Sequence, residues 1–135
     1  MKIELDIPES LPQVYAEETS LVQVFYNLIV NAYHAIDRNG RITVMARDNR
    51  PDGRIVVDIT DTGKGISPEV MDRIFEPFFT TKPTNIVPGG SDRFTGTGLG
   101  LAFVQKYMED LGGLITVASQ PGKGTTFSLK FLQSR

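Results

Sequence analysis

The sequence contains no cysteine, which excludes disulfides and thiolate metal sites. Charge of neither sign dominates it. The formal net charge is -2 and no basic run stands out, which argues against nucleic acid or an anionic membrane surface as a main partner. No apolar stretch approaches the ~20 residues needed to span a bilayer. The N-terminal stretch "MKIELDIPES" alternates polar and apolar side chains and does not read as a signal peptide. The expectation is a soluble, cytoplasmic chain that makes no membrane contact of its own.

What is present suffices for one ordinary domain. Of 135 residues, 40% are hydrophobic and 22% charged, a size and balance that support a real core. Residues 1–135 are expected to form that single domain. "KIELDI" puts Ile3, Leu5 and Ile7 on one face, as a half-buried strand does, and "QVYA" suggests a short second strand. Leu21, Phe25, Leu28, Ala32, Ala35 and Ile36 recur at helical spacing, with Gly40 as a left-handed stop after the helix. "RITVMARD" and "RIVVDIT", joined around "RPDG", predict an antiparallel hairpin. Ser67 and Pro68 predict the cap and first position of a short helix to about residue 74.

Residues 80–97 show no periodicity and are rich in Gly, Pro and Thr, so they are expected to be a functional loop. A helix over 98–111 follows, stopped by Gly112 and Gly113. "LITVAS" and "TTFSLKF" predict paired strands around "QPGKG". Strands and helices mix without a regular βαβ alternation, which predicts an α/β two-layer sandwich, a sheet with helices on one side.

The stretch "GTGLGLAFVQKYMEDLGG" places glycines immediately before a helix. It matches neither the P-loop pattern nor the dinucleotide fingerprint. Physically it still suits a phosphate. Glycine lets backbone approach an anion closely, and the first-turn N–H groups and helix dipole favour negative charge. A ligand-free hinge is the other reading of this stretch alone.

Three further segments bear on the choice. In "VVDITDTGKGI", Asp61 lies at a strand end beside Gly63 and Gly65. A carboxylate there can accept a hydrogen bond from an exocyclic amine such as that of adenine, or satisfy its own turn. In "QVFYNLIVNAYHAI", Gln23, Asn27, Asn31 and His34 form one stripe at i, i+4, i+8 and i+11. An amide oxygen is a hard, neutral ligand that suits Mg²⁺ when phosphate and water complete the shell. The same stripe also reads as the polar edge of a half-buried helix. In "RIFEPFFTTK", Phe75, Phe78 and Phe79 read as anchors for the loop, with Lys82 a candidate phosphate contact.

Together these segments resemble the ATP-binding catalytic domain of two-component sensor histidine kinases, within the superfamily of gyrase, heat-shock chaperones and mismatch-repair ATPases. "NLIVNA" looks like the asparagine box, "DTGKGI" and "GTGLGL" the two glycine boxes, and "FEPFF" the phenylalanine box. "GKGTTF" is similar to the terminal glycine-threonine segment, and "EPFFTTK" to the nitrogen-regulation-sensor subgroup. The resemblance covers essentially the whole chain. It implies a Bergerat-type fold, with a mixed, mostly antiparallel sheet covered on one face by about three helices.

It also implies roles. The cofactors are ATP and Mg²⁺. Asp61 binds the adenine amino group, with Gly63, Gly65, Ile66 and Thr125 completing that pocket. Gly96, Thr97, Gly98, Leu99, Gly100 and Leu101 lie at the phosphates. Asn31 is the metal ligand, and Asn27 and His34 sit near the phosphates. Residues 80–97 are the ATP lid, from which Lys82 and Arg93 are candidates to neutralise the γ-phosphate.

Hydrolysing members of the superfamily carry a glutamate where this chain has Asn27, which cannot act as a general base. The resemblance therefore implies phosphoryl donation to a protein acceptor with little hydrolysis, resting on positioning and charge stabilisation. The acceptor would be a histidine on a separate dimerisation domain of the same kinase, with a response regulator served indirectly. The only histidine here is His34, inside the asparagine box. The chain is thus expected to be an isolated catalytic domain, monomeric alone, whose parent kinase has the membrane as one place of anchorage. A switch ATPase, a serine kinase of the anti-sigma type and a nucleotide-sensing module without turnover are the competing readings.

Overall fold

A computed structural model describes residues 2–8, 17–36, 39–49, 54–77 and 100–132. In chain order these form β1 (Lys2–Asp6), α1 (Glu18–Ala35), β2 (Arg41–Asn49), β3 (Arg54–Asp61), α2 (Pro68–Met71), α3 (Gly100–Asp110), β4 (Leu114–Gln120) and β5 (Gly124–Leu132). The strands make one sheet in the order β1-β2-β3-β5-β4. β1 runs parallel to β2, with α1 as the crossover a parallel pair requires, and every other pairing is antiparallel. The result is the expected α/β sandwich with a mixed, mostly antiparallel sheet.

Alternation along the strands writes the core. Ile42, Val44 and Ala46 of β2, Ile55, Val57 and Ile59 of β3, and Phe127, Leu129 and Phe131 of β5 all turn inward and are buried. α1 lies over β2, β3 and β5, and α3 packs against α1 and β4. Val24, Leu28 and Ala32 from α1 meet Val104 and Met108 from α3 in the same cluster. The opposite sheet face carries surface ion pairs, Arg41–Glu4 and Arg47–Asp58 among them.

Four expectations need correction. α1 centres its buried face on Val24, Leu28 and Ala32, while Leu21, Phe25 and Ile36 only flank it. Its end is not a left-handed Gly40. Ile36 turns into extended backbone and donates its N–H to Tyr33 O. Gly40 is instead needed for space, because a Cβ there would overlap the Ile36 side chain. α2 stops at Met71, where the Arg73 N–H bonds back to Val70 O in a tighter turn, and the Ser67 hydroxyl makes no cap bond. Ile3, Leu5 and Ile7 of the β1 edge are 50–69% exposed, beside an apolar recess of about 370 Å³ that Leu5, Ile7, Leu21, Phe25 and Phe131 help line.

The end of α3 is as read. Gly112 is left-handed, its N–H bonds Glu109 O, and the Gly113 N–H bonds Met108 O, the paired bonds of a Schellman stop. Phe75 packs edge-on to Phe127, ring centroids 6.5 Å apart, as an anchor should. Phe78, Phe79, Lys82, Arg93, Gly96, Thr97, Gly98, Leu99, the loop 80–97 and the short strand at 13–16 lie outside the described residues.

Candidate functional site

Strand β3 delivers Asp61 as its last residue, on the inward face that Ile55, Val57 and Ile59 set by alternation. The carboxyl group is therefore buried, and the residue is only 5% exposed. The Gly63 N–H donates to its Oδ1 at 2.8 Å, and the Thr125 backbone N–H supplies a second bond. Burial raises the Asp61 pKa above its ordinary value, and these two bonds only partly offset the loss of water. A carboxylate offers about four lone-pair positions, so two backbone donors leave room for a further donor. The turn-satisfying role thus leaves acceptor capacity over.

The loop after Asp61 is clamped from two sides. The Lys64 N–H bonds Ala35 O at the end of α1, 2.9 Å away, and the Lys64 carbonyl accepts the Gly122 N–H at 2.7 Å. No side chain fits at Gly63, where a Cβ would come within 2.5 Å of Ala35 O. Gly65 has a φ of 75° and a Cβ there would overlap the Gln120 carbonyl. These glycines permit close backbone packing around Asp61. Ile66 is partly buried, and its N–H donates to Ser119 Oγ at 2.8 Å.

The polar stripe of α1 runs between two fixed points. Near one end Asn27, 5% exposed, donates to Gly100 O at 3.4 Å and accepts from Gln23 at 3.2 Å. At the other end Ala35 holds the loop after Asp61. Asn31 is half-buried between them. His34 is exposed, with its ring edge-on to Tyr33. At 1.5 Å per residue the separation from Asn27 to Ala35 is about 12 Å. Gly100 and the partly buried Leu101 open α3 beside Asn27, where a helix start favours an anion. The structure thus brings Asn27 to Gly100, and brings Asp61, Gly63, Gly65, Ile66 and Thr125 together at the other end of the stripe.

Sequence reasoning missed Ser119. It stands opposite Thr125 on β4 and binds the Ile66 N–H, the Gly124 carbonyl and the Thr125 hydroxyl. The signal was present in the alternation of "LITVAS" and the short "QPGKG" turn, which together set that register. Among the described residues no group of three or more His, Asp or Glu is placed to hold a metal ion. Also among them, no helix is long and apolar enough to cross a membrane.

Comparison with known proteins shows what the chain is similar to. The family model for histidine kinase-, DNA gyrase B- and HSP90-like ATPases matches residues 16–135. The sensor histidine kinase ZraS of Salmonella typhi is 45% identical over 121 residues, 90% of this chain and 23% of its own length. The sensor kinase CckA of Brucella abortus is 36% identical across 96% of this chain and 14% of its own. Among solved structures, the nucleotide-free catalytic domain of the histidine kinase ThkA superposes with a TM-score of 0.78 at 30% identity, covering 98% of this chain and 78% of that one. Full-length ShkA in complex with AMPPNP gives the same TM-score of 0.78 at 30% identity, over 98% of this chain and 26% of that one. The chain spans about a quarter or less of the length of these curated relatives.

Proposed function

Because the chain belongs to the family of histidine kinase-, DNA gyrase B- and HSP90-like ATPases, we propose that it binds Mg-ATP and donates the γ-phosphoryl group to a histidine on a separate dimerisation domain of a sensor histidine kinase. The observation that carries the reading is Asp61, a buried carboxylate with spare acceptor capacity at the end of a polar stripe. A buried carboxyl group whose pKa burial raises, set beside a polar stripe, is a candidate functional group. The adenine amine would donate to Asp61, with Gly63, Gly65, Ile66 and Thr125 around the base. From there α1 offers about 12 Å of polar edge, enough to run alongside a nucleotide toward Gly100 and Leu101. The assignments of Lys82, Gly96, Thr97, Gly98 and Leu99 to the phosphates rest on sequence motif alone, as does the lid 80–97.

Mg²⁺ fits the donor set here. Asn31 offers one hard, neutral oxygen, and a divalent ion beside it would draw most of its shell from phosphate oxygens and water. When bound, the ion supplies positive charge at the phosphates. The chain's own residues position the nucleotide. Asn27 is committed to Gln23 and Gly100 and has no basic atom to take a proton from water. Transfer to an aligned imidazole, leaving ADP, is therefore favoured over hydrolysis.

The test adds a histidine-bearing dimerisation hairpin from a ZraS-like kinase and radiolabelled ATP. The expected product is acid-labile phosphohistidine on the hairpin, with slow phosphate release in its absence. Nucleotide binding without transfer would instead make the chain a sensing module, and acid-stable phosphoserine would make it a serine kinase. Asn31→Ala carries a separate prediction. It should weaken ADP binding about tenfold with Mg²⁺, roughly 1.4 kcal/mol, and much less without it. Equal weakening in both titrations would remove Asn31 from the metal.

A further inference from the structure

Asp61, Thr125 and Ser119 are register partners across β3, β5 and β4, so they stand in a row on the inward face with Thr125 in the middle. Ser119 Oγ has three partners: the Ile66 N–H at 2.8 Å, Gly124 O at 3.0 Å and Thr125 Oγ1 at 2.8 Å. A hydroxyl has one proton and two lone pairs. Ile66 N–H only donates, and a carbonyl oxygen only accepts. The Ser119 proton therefore goes to Gly124 O, and Thr125 must donate its own proton to Ser119. The reverse assignment leaves two oxygens 3.0 Å apart with no hydrogen between them. Only one arrangement satisfies all three contacts.

The consequence falls on Thr125. With its proton turned to Ser119, its hydroxyl offers only lone pairs to anything else. Its neighbour Asp61, when ionised, also offers only lone pairs. We propose that Ser119 is a positioning residue that fixes Thr125 as an acceptor, so that the pair favours a 6-amino purine over a 6-oxo purine. A 6-amino group brings two N–H donors to this corner, directly or through a water. A 6-oxo group brings an oxygen that meets two acceptors. The proposal rests on the nucleotide-binding reading and deepens it. It also explains why a strand outside the four sequence boxes carries a half-buried serine at this register.

The test compares adenosine diphosphate with inosine diphosphate, which differ at the purine 6 position and in N1 protonation but share ribose and phosphates. Calorimetric affinities are measured for the unmodified chain, Ser119→Ala, Ser119→Thr, Thr125→Val and Asp61→Asn, each with its melting temperature. Ser119→Ala should lower the adenosine-to-inosine preference about fivefold, because Thr125 is then free to donate. Ser119→Thr keeps the hydroxyl and should retain the preference. In a Thr125→Val background, Ser119→Ala should change the preference no further, and this arm remains readable if either single variant is less stable. Equal weakening of both nucleotides by Ser119→Ala would make its role structural and overturn the proposal. If Asp61→Asn moves the preference and Ser119→Ala does not, the base pocket stands and the Ser119 role fails. If neither moves it, the base pocket reading itself fails, and the Ser119 role with it.

Discussion

Asp61→Asn is expected to weaken ADP binding about 10- to 100-fold while leaving the nucleotide-free domain at least as stable as before. Two effects of one charge pull in opposite directions. For the free domain, the buried carboxylate is a burden. Burial raises its pKa from 3.8, against the smaller lowering by the Gly63 and Thr125 N–H groups. A carboxyl with a raised value binds its proton more tightly folded than unfolded. Stability therefore falls as pH climbs from the unfolded value through the raised one. Asparagine carries no charge and still offers Oδ1 to the Gly63 N–H, so it should remove that acid-side slope. For the ligand, the same charge is an asset. A hydrogen bond to a charged group contributes about 1.5–3 kcal/mol, which is the stated range of affinity. Selectivity for adenine over guanine should drop with it. Melting curves at neutral and mildly acidic pH, paired with ADP titrations, read both effects. A lower melting temperature with binding intact would make Asp61 a purely structural turn residue.

The sequence carried different parts of this picture unequally. The hairpin of β2 and β3, and that of β4 and β5, were legible because β-branched alternation and a short turn fix both pairing and face. The place of Asp61 at the end of β3 was legible, because the β-branched run stops there before two glycines; its burial and its bond from the Gly63 N–H are what the structure adds. Val24 was not legible, since the helical spacing traces Leu21, Phe25 and Leu28, while the buried line runs through Val24, Leu28 and Ala32. Ile3 and Leu5 alternate as a core strand does. Yet β1 is an edge strand, and among the described residues they stay exposed, because alternation says which face a residue joins and not what stands across from it. Ser119 was missed for the same reason. Its role exists only where the β4–β5 register meets the loop after Asp61. Gly63 and Gly65 were read as pocket floor, and the structure adds that they also allow the loop to press on Ala35 and Gln120.

That close packing leads to Gly124, where one added methyl group is expected to damage fold and site together. Gly124 has a φ of 120°, a conformation side-chain-bearing residues rarely adopt, and a Cβ there would overlap the Asp61 carbonyl oxygen. The backbone term costs about 1–3 kcal/mol, and forcing an atom into packed backbone about as much again. Gly124→Ala should therefore lose about 3 kcal/mol or more, a fall in melting temperature on the order of 10 °C. The displaced atoms belong to Asp61 and to the β3–β5 pairing that aligns it with Thr125. ADP affinity of the folded fraction should then fall beyond what lost stability explains. Gly122→Ala is the control. Its φ is 79°, but nothing lies within 4 Å of the added carbon. It should carry only a backbone cost of about 1 kcal/mol and leave affinity unchanged. If the two variants lose stability equally and neither changes affinity, strained backbone accounts for both and the spacing between β3 and β5 does not set the pocket. If Gly124→Ala alone weakens ADP, the glycine is there to let the sheet close onto Asp61, and the geometry of the base pocket is built into the strand pairing itself.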